Sequence, residues 1–330
     1  MIRKLVIGLT NEKTMKKILF LLLYCVSANA DYSLLKIPSN LKNPRGLSLG
    51  LGYGCVIDDG KVKCWGKNNY ESERNPRPVF ATAKNPKMVS LNSDGACIID
   101  DVGLKCEGTA GVVSRVTDPY ASGFKNIKNP SLVKVGGISS CAIADKKVYC
   151  WGHVMGAVEK HVGNPVDVAM IDMNIFVLND DGTLHCYGPS GVCARYESFT
   201  SLKNIKALST GSANLCVITE LNDVLCDYLR SSYAENPTSG PKFKTQKNVV
   251  TDYGGKDSYH KYWTCLIVDN QVKCFGVSDG TFSEWTIPAK NPKEIAIDST
   301  NTGTYSYPNS NRIICIIDDN GLSCLDADEF

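Results

Sequence analysis

NPRGLSLGLGYGCVIDDGKVKCWGKNN, Asn43 to Asn69, decides the fold of this chain, because its pattern returns along the rest of the sequence. At its centre two cysteines bracket a short turn-like stretch that folds back on itself at Asp59-Gly60. Asp-Gly favours a two-residue type I′ turn, which needs φ > 0 at both central positions. Pairing outward from that turn sets Asp58 opposite Lys61, Ile57 opposite Val62, Val56 opposite Lys63 and Cys55 opposite Cys64. The pair flanking the turn is hydrogen-bonded and the pairs alternate, so the cysteines fall on a non-hydrogen-bonded site. There Cα atoms approach to about 4.5 Å, within reach of a disulfide.

The same spacing joins Cys97 to Cys106, Cys141 to Cys150, Cys265 to Cys274 and Cys315 to Cys324. Cys216 and Cys226 stand one residue further apart, which suits a three-residue turn. A further unit keeps only its second cysteine, Cys186, with Phe176 where the first would be. Cys193 follows in YGPSGVC, so either a Cys186–Cys193 bridge through the Pro-Ser-Gly turn or two free thiols are expected. Each unit opens on a short apolar run, five of them after Asn-Pro (Pro44, Pro86, Pro130, Pro165, Pro292). Most close on an aromatic-Gly pair: Trp65-Gly66, Trp151-Gly152, Tyr187-Gly188 and Phe275-Gly276. A recurring unit of this length marks a repeat architecture.

GCVIDDGKVKCWGKNN (54–69) and SCAIADKKVYCWG (140–152) resemble the repeat of the regulator of chromosome condensation family, and the resemblance extends over nearly all of residues 31–330. It implies an all-β fold, a seven-bladed β-propeller, and the seven units counted here agree. Units of roughly 43 residues suit four-stranded blades. The fourth strand is expected in the segment leading to the next unit, such as Arg77 to Ala83. Tyr32 to Ile37 is expected to complete the last blade and remove its open edge. Family members that act on a small nuclear GTPase carry nuclear targeting and an insertion that contacts it. This chain has a secretory leader and cysteine hairpins instead, in the style of secreted cysteine-rich bacterial members, so nucleotide exchange is not expected.

The leader is MKKILFLLLYCVSANA, Met15 to Ala30: a basic start, an apolar core too short to span a bilayer, and an Ala28-Asn29-Ala30 cleavage site. Cleavage would remove residues 1–30 and leave a propeller domain over 31–330 with 14 of the 15 cysteines, an even number. Met1 and Met15 are both candidate starts, and Leu22-Leu23-Tyr24-Cys25 is a rival lipoprotein box, although Tyr24 stands where a small residue is usual. The expected location is secreted, periplasmic or at the cell surface, where disulfides persist. Zinc would need closely spaced cysteine pairs, which the chain lacks. In the chain-entropy treatment each short bridge contributes roughly 2.5–3 kcal/mol.

Lys+Arg 36 against Asp+Glu 34 gives a net charge of +2 and no electrostatic argument for nucleic acid or anionic membrane. The four histidines, His153, His161, His185 and His260, form no metal-spaced pair, and no nucleophile elbow, phosphate loop or dinucleotide fingerprint occurs. Asp58-Asp59-Gly60, Asp180-Asp181-Gly182 and Asp318-Asp319-Asn320-Gly321 lack the spacing of a calcium loop and read as turns. No catalytic residue, metal or cofactor is expected.

The repeat is broken in two places. Long connections run from Gly254 to Cys265 and from Ser299 to Cys315, at equivalent positions of neighbouring units. The first, 255–264, holds Tyr259, His260, Tyr262 and Trp263; the second, 300–314, holds Tyr305, Tyr307 and Arg312. Tyr, Ser, Gly and Asn with Trp and Arg are the composition of protein-binding surfaces. The alternative is that these are longer loops packing on each other. The expected function is a monomeric, non-catalytic module binding a protein partner. A structural or adhesive envelope component and a propeller enzyme, such as a lyase or glycosidase, are the rivals.

Overall fold

Local turn chemistry sets every hairpin. The computed structural model describes residues 37–50, 53–66, 78–92, 95–108, 127–136, 139–152, 163–171, 174–188, 193–211, 214–226, 243–244, 249–253, 262–278, 281–297 and 313–326. The first blade is an antiparallel sheet of β1 (Arg45–Gly50), β2 (Tyr53–Asp58) and β3 (Lys61–Gly66). Its register pairs Cys55 with Cys64 and Asp58 with Lys61, the count made outward from Asp59-Gly60. Asp59 and Gly60 have φ of 48° and 71°, as a type I′ turn requires. Asp145-Lys146 and Asp269-Asn270 repeat this left-handed pair. The turn after Thr219 has three residues and places Asn222 at φ 67°.

The second blade contains β4 (Met88–Leu91), β5 (Gly95–Asp100) and β6 (Gly103–Gly108), and the third β7 (Pro130–Val135), β8 (Ser139–Ala144) and β9 (Lys147–Gly152). The fourth has β10 (Pro165–Ile171), β11 (Asn174–Asn179) and β12 (Leu184–Tyr187). The fifth has β13 (Ile205–Thr210), β14 (Leu215–Thr219), β15 (Asp223–Cys226) and β16 (Phe243–Lys244). The sixth is the longest, with β17 (Val249–Tyr253), β18 (Tyr262–Val268), β19 (Gln271–Ser278) and β20 (Thr281–Ile287). The seventh has β21 (Glu294–Ile297), β22 (Ile313–Asp318) and β23 (Gly321–Asp326). The first strand of each blade neighbours the first strand of the next, and β21 neighbours β1, so seven sheets close into a ring. All of this lies within Ile37–Phe330; the leader, the cleavage site and the segment expected to close the last blade, except Ile37, fall outside the described residues.

Middle strands β2, β5, β8 and β11 are buried along their whole length, because each is covered on both faces by neighbouring blades. This is why YGCVID, GACIID and SSCAIA read as continuous apolar or small runs rather than alternating ones. The two faces have different roles. Cysteines face the next blade: Cys55 and Cys64 pack with Val89, Leu91, Ala96 and Ile98 of blade 2. The closing aromatic faces the blade before: Trp151 packs beside Cys97 and Cys106, Tyr187 beside Cys141 and Cys150, and Phe275 beside Cys216 and Cys226. Volume is balanced across the hairpin, with Trp65 opposite Gly54 and Trp151 opposite Ser140. A Cβ on Gly54 would lie 2.5 Å from the Trp65 ring.

Seven disulfides are present. Six join directly opposed hairpin positions with Cα atoms 4.0 or 4.1 Å apart. The seventh, Cys186–Cys193, spans 5.7 Å and ties β12 to a 3-10 turn, Cys193–Tyr196, which runs into α2 (Glu197–Thr200). Phe176, opposite Cys186, fills the slot left by the missing cysteine and meets Tyr196 edge-on at 4.8 Å between ring centroids.

One expectation is corrected. Of the segment Arg77 to Ala83, the described residues 78–83 do not provide a fourth strand; Pro78–Ala81 forms a helical turn, α1. Val79 and Phe80 are consecutive and both buried in the core between blades 1 and 2. A strand would send them to opposite faces, whereas a helical turn lets both reach one core. Tyr196 and Phe199 do the same between blades 4 and 5. Only blades 5 and 6 have a fourth strand among the described residues.

Candidate functional site

Strands run to two rims, and the rims differ in chemistry. The rim carrying the second-to-third-strand turns is polar and tightly laced. Asp58, buried at the end of β2, accepts the backbone N–H groups of Lys42 (2.9 Å) and Asn43 (2.7 Å) and the Lys63 ammonium (2.7 Å). Asp100 takes the N–H groups of Lys84, Val102 and Gly103 together with Lys105. Asp318 accepts from Lys290 and Asn320. Burial alone would raise the Asp58 and Asp100 carboxyls, but the lysine and backbone donors outweigh it and hold both below the ordinary range.

In three repeats the Asn of Asn-Pro turns left-handed (Asn85 φ 49°, Asn129 49°, Asn291 51°) and donates its amide to the turn carboxylate. Asn85 meets Asp101 at 3.2 Å, Asn129 meets Asp145 at 3.0 Å and Asn164 meets Asp180 at 3.2 Å. Asp101 lies below its ordinary value through Lys87 and then Asn85. The paired aspartates are thus occupied with fastening one repeat's entry to its own hairpin. Among the described residues no three His, Cys, Asp or Glu side chains form a metal-holding group. No helix of the described residues is long and apolar enough to cross a membrane.

The opposite rim carries the first-to-second-strand connections. In blades 1 and 4 these are two-residue links, 51–52 and 172–173. Tyr53 and Asn92 stitch this rim: the Tyr53 hydroxyl donates to the Asn92 carbonyl at 2.8 Å, and the Asn92 amide donates to the Gly136 carbonyl of blade 3. The long connections, 254–261 and 298–312, leave from this same rim, rooted in β17/β18 and β21/β22 of adjacent blades.

Of the residues singled out by sequence, Tyr262 and Trp263 belong to the first turn-proximal positions of β18 rather than to a loop. Tyr262 pairs with Tyr253 and Val277, and Trp263 with Asp252 and Gly276. Tyr259, His260, Tyr305, Tyr307 and Arg312 lie outside the described residues. The β19–β20 hairpin extends the same sheet to Ser278 and Thr281, so the described strands of blade 6 run further at this rim than the described strands of its neighbours. Sequence spacing did not single out that hairpin, because a fourth strand has no cysteine to mark it.

With seven cysteine-marked repeats closed in a ring, the fold is a seven-bladed β-propeller. No family model and no curated protein matches the chain. Among solved structures it is similar to the CRINKLY WD40 ectodomain of the Arabidopsis thaliana receptor kinase ACR4 (18% identity, TM-score 0.51, covering 76% of this chain and 84% of that one). It is also similar to human WBSCR16 (14% identity, TM-score 0.53, covering 79% and 85%). Yeast RCC1 (Prp20), solved bound to Kap60, matches at 13% identity and a TM-score of 0.40, covering 86% and 70%. These likenesses concern the fold.

Proposed function

We propose that the protein is a secreted, non-catalytic binding module that recognises another protein through the rim bearing the connections 254–261 and 298–312. The observation that carries this reading is the shared rim: the two longest first-to-second-strand connections are rooted in neighbouring blades, whereas the corresponding links of blades 1 to 5 are short. Their sequences supply Tyr259, His260, Tyr262, Trp263, Tyr305, Tyr307 and Arg312, residue types that anchor protein interfaces. The polar rim supports it in the opposite sense, since its carboxylates are committed to backbone and lysine donors. Seven disulfides favour an oxidising compartment, and the leader at Met15–Ala30 favours export. The same fold serves in the ACR4 ectodomain.

The test is affinity capture from envelope and extracellular fractions with the 31–330 chain as bait, beside a variant with alanine at Tyr259, Tyr262, Trp263, Tyr305 and Tyr307. One partner retained by the parent and lost by a variant of nearly unchanged melting temperature is the expected result. Equal capture by both proteins would move the site elsewhere.

A further inference from the structure

Six of the seven bridges are protected twice over. Each has at least one buried sulfur: Cys55, Cys97, Cys141, Cys265 and Cys315 are 0% exposed and Cys216 is 1% exposed, while of their partners Cys226, Cys274 and Cys324 are buried and Cys64, Cys106 and Cys150 half-buried. Each pair also sits across an antiparallel ladder, so the sulfurs would stay facing each other even if the bond were cut. Cys186–Cys193 has neither protection. Both of its cysteines are only half-buried. Cys186 ends the apolar cluster between blades 4 and 5, and Cys193 lies outside the ladder, in the 3-10 turn.

We propose that Cys186–Cys193 is a thiol–disulfide exchange site, opened by a dithiol reductant while the hairpin bridges stay closed. A thiolate of the reductant attacks Cys193 Sγ, the Cys186–Cys193 bond breaks, and Cys186 leaves as a thiolate that takes up a proton. The second thiol of the reductant then attacks its own sulfur in the mixed disulfide, and Cys193 is released as a thiolate that is protonated in turn. Two electrons pass to the protein, which gains two thiols, and the reductant ends as a disulfide. Attack at Cys193 follows from the packing, because Cys186 rests against the core cluster and Cys193 does not.

The site controls more than two sulfurs. The segment tethered by Cys193 carries Tyr196, 7% exposed, and Phe199, 0% exposed, which wedge between blades 4 and 5 over Phe176. Opening the bridge removes the covalent tie of that wedge, at the blade junction where Phe176 replaces a hairpin cysteine. The inference is independent of the binding rim proposed above, which lies in blades 6 and 7.

Treatment of the folded 31–330 chain with graded dithiothreitol, quenching with an alkylating reagent and peptide mapping will test it. Cys186 and Cys193 should be alkylated at least about tenfold faster than any hairpin cysteine, as access governs exchange rates. Amide exchange should rise over 193–202 while β8 and β14 stay protected. A Cys186→Ser/Cys193→Ser variant should lose the fast phase, and a Cys97→Ala/Cys106→Ala variant should keep it. Alkylation of hairpin cysteines first, or labelling of Cys186 and Cys193 only together with global unfolding, would overturn the proposal. These readouts come from the parent protein, so they stand even if a variant fails to fold.

Discussion

Asp100 receives three backbone N–H groups and the Lys105 ammonium, with its side chain fully buried. Replacing it by alanine strands those amides, and leaving a buried donor unpaired costs about 1–3 kcal/mol. Asp100→Ala should therefore lower stability by roughly 2–3 kcal/mol in a denaturant melt. The carboxyl also sets an acid limit. Asp58 and Asp100 titrate below their unfolded value, so the stability they contribute is complete above about pH 4 and drains away as pH falls through their folded values. An Asp58→Asn/Asp100→Asn variant should melt lower than the parent at neutral pH. Its melting temperature should then fall less steeply between about pH 5 and pH 3. A parallel acid limb in parent and variant would show that other carboxylates dominate.

Six of the seven hairpins were legible because each is decided within a dozen residues: turn residues at the centre and a cysteine at each end. The register Cys55–Cys64 follows from Asp59-Gly60 without any knowledge of the ring. The fourth element of each blade was not legible, since its form depends on the gap between two blades. PVFA at 78–81 offers no helical period; the turn forms because Val79 and Phe80 must enter one cavity. Likewise nothing local tells that Trp263 pairs with Gly276 in a lengthened sheet, and the candidate loops 255–264 and 300–314 follow no repeat from which a shape could be read. Two predictions belong to this scale. Phe199→Ala removes a fully buried ring from the wedge between blades 4 and 5 and should cost about 3–5 kcal/mol. Cys97→Ala/Cys106→Ala deletes one hairpin staple and should cost roughly 2–3 kcal/mol, read by thermal melting of the oxidised protein.

Around the ring, neighbouring blades are held by side chains that reach across to the exposed edge of the next first strand. Ser48 accepts the Leu91 N–H at 2.9 Å, Ser90 accepts the Val135 N–H at 2.9 Å, and Lys134 pairs with Asp167 at 2.6 Å. Between the last blade and the first, Glu294 accepts from Gly46 at 3.1 Å and Leu47 at 2.8 Å. Glu294→Ala should lower the melting temperature and broaden the transition, as the ring loses its clasp; an unchanged transition would assign closure to packing alone. Removal of residues 31–37 probes the sequence-based expectation that Tyr32 to Ile37 completes the last blade. Reduced cooperativity or solubility is the expected result, and an unaltered melt would discard that expectation. N-terminal sequencing of exported protein should begin at Asp31, whereas a lipid-modified Cys25 would place the chain on a membrane surface.

All fourteen bridged cysteines find partners within their own blade, at sequence separations of 7, 9 or 10. A chain pulled from its two ends would meet no covalent lock between blades, so blades could peel away one after another. Each peeled blade would nonetheless pay out less thread than its length allows, because its hairpin stays tied as a closed loop. With a sequence separation of 9 between the bridged cysteines of a typical loop, every such step should be shorter by roughly 25–30 Å of extended chain. Under a reducing buffer that missing length should return, step by step, to the force–extension trace.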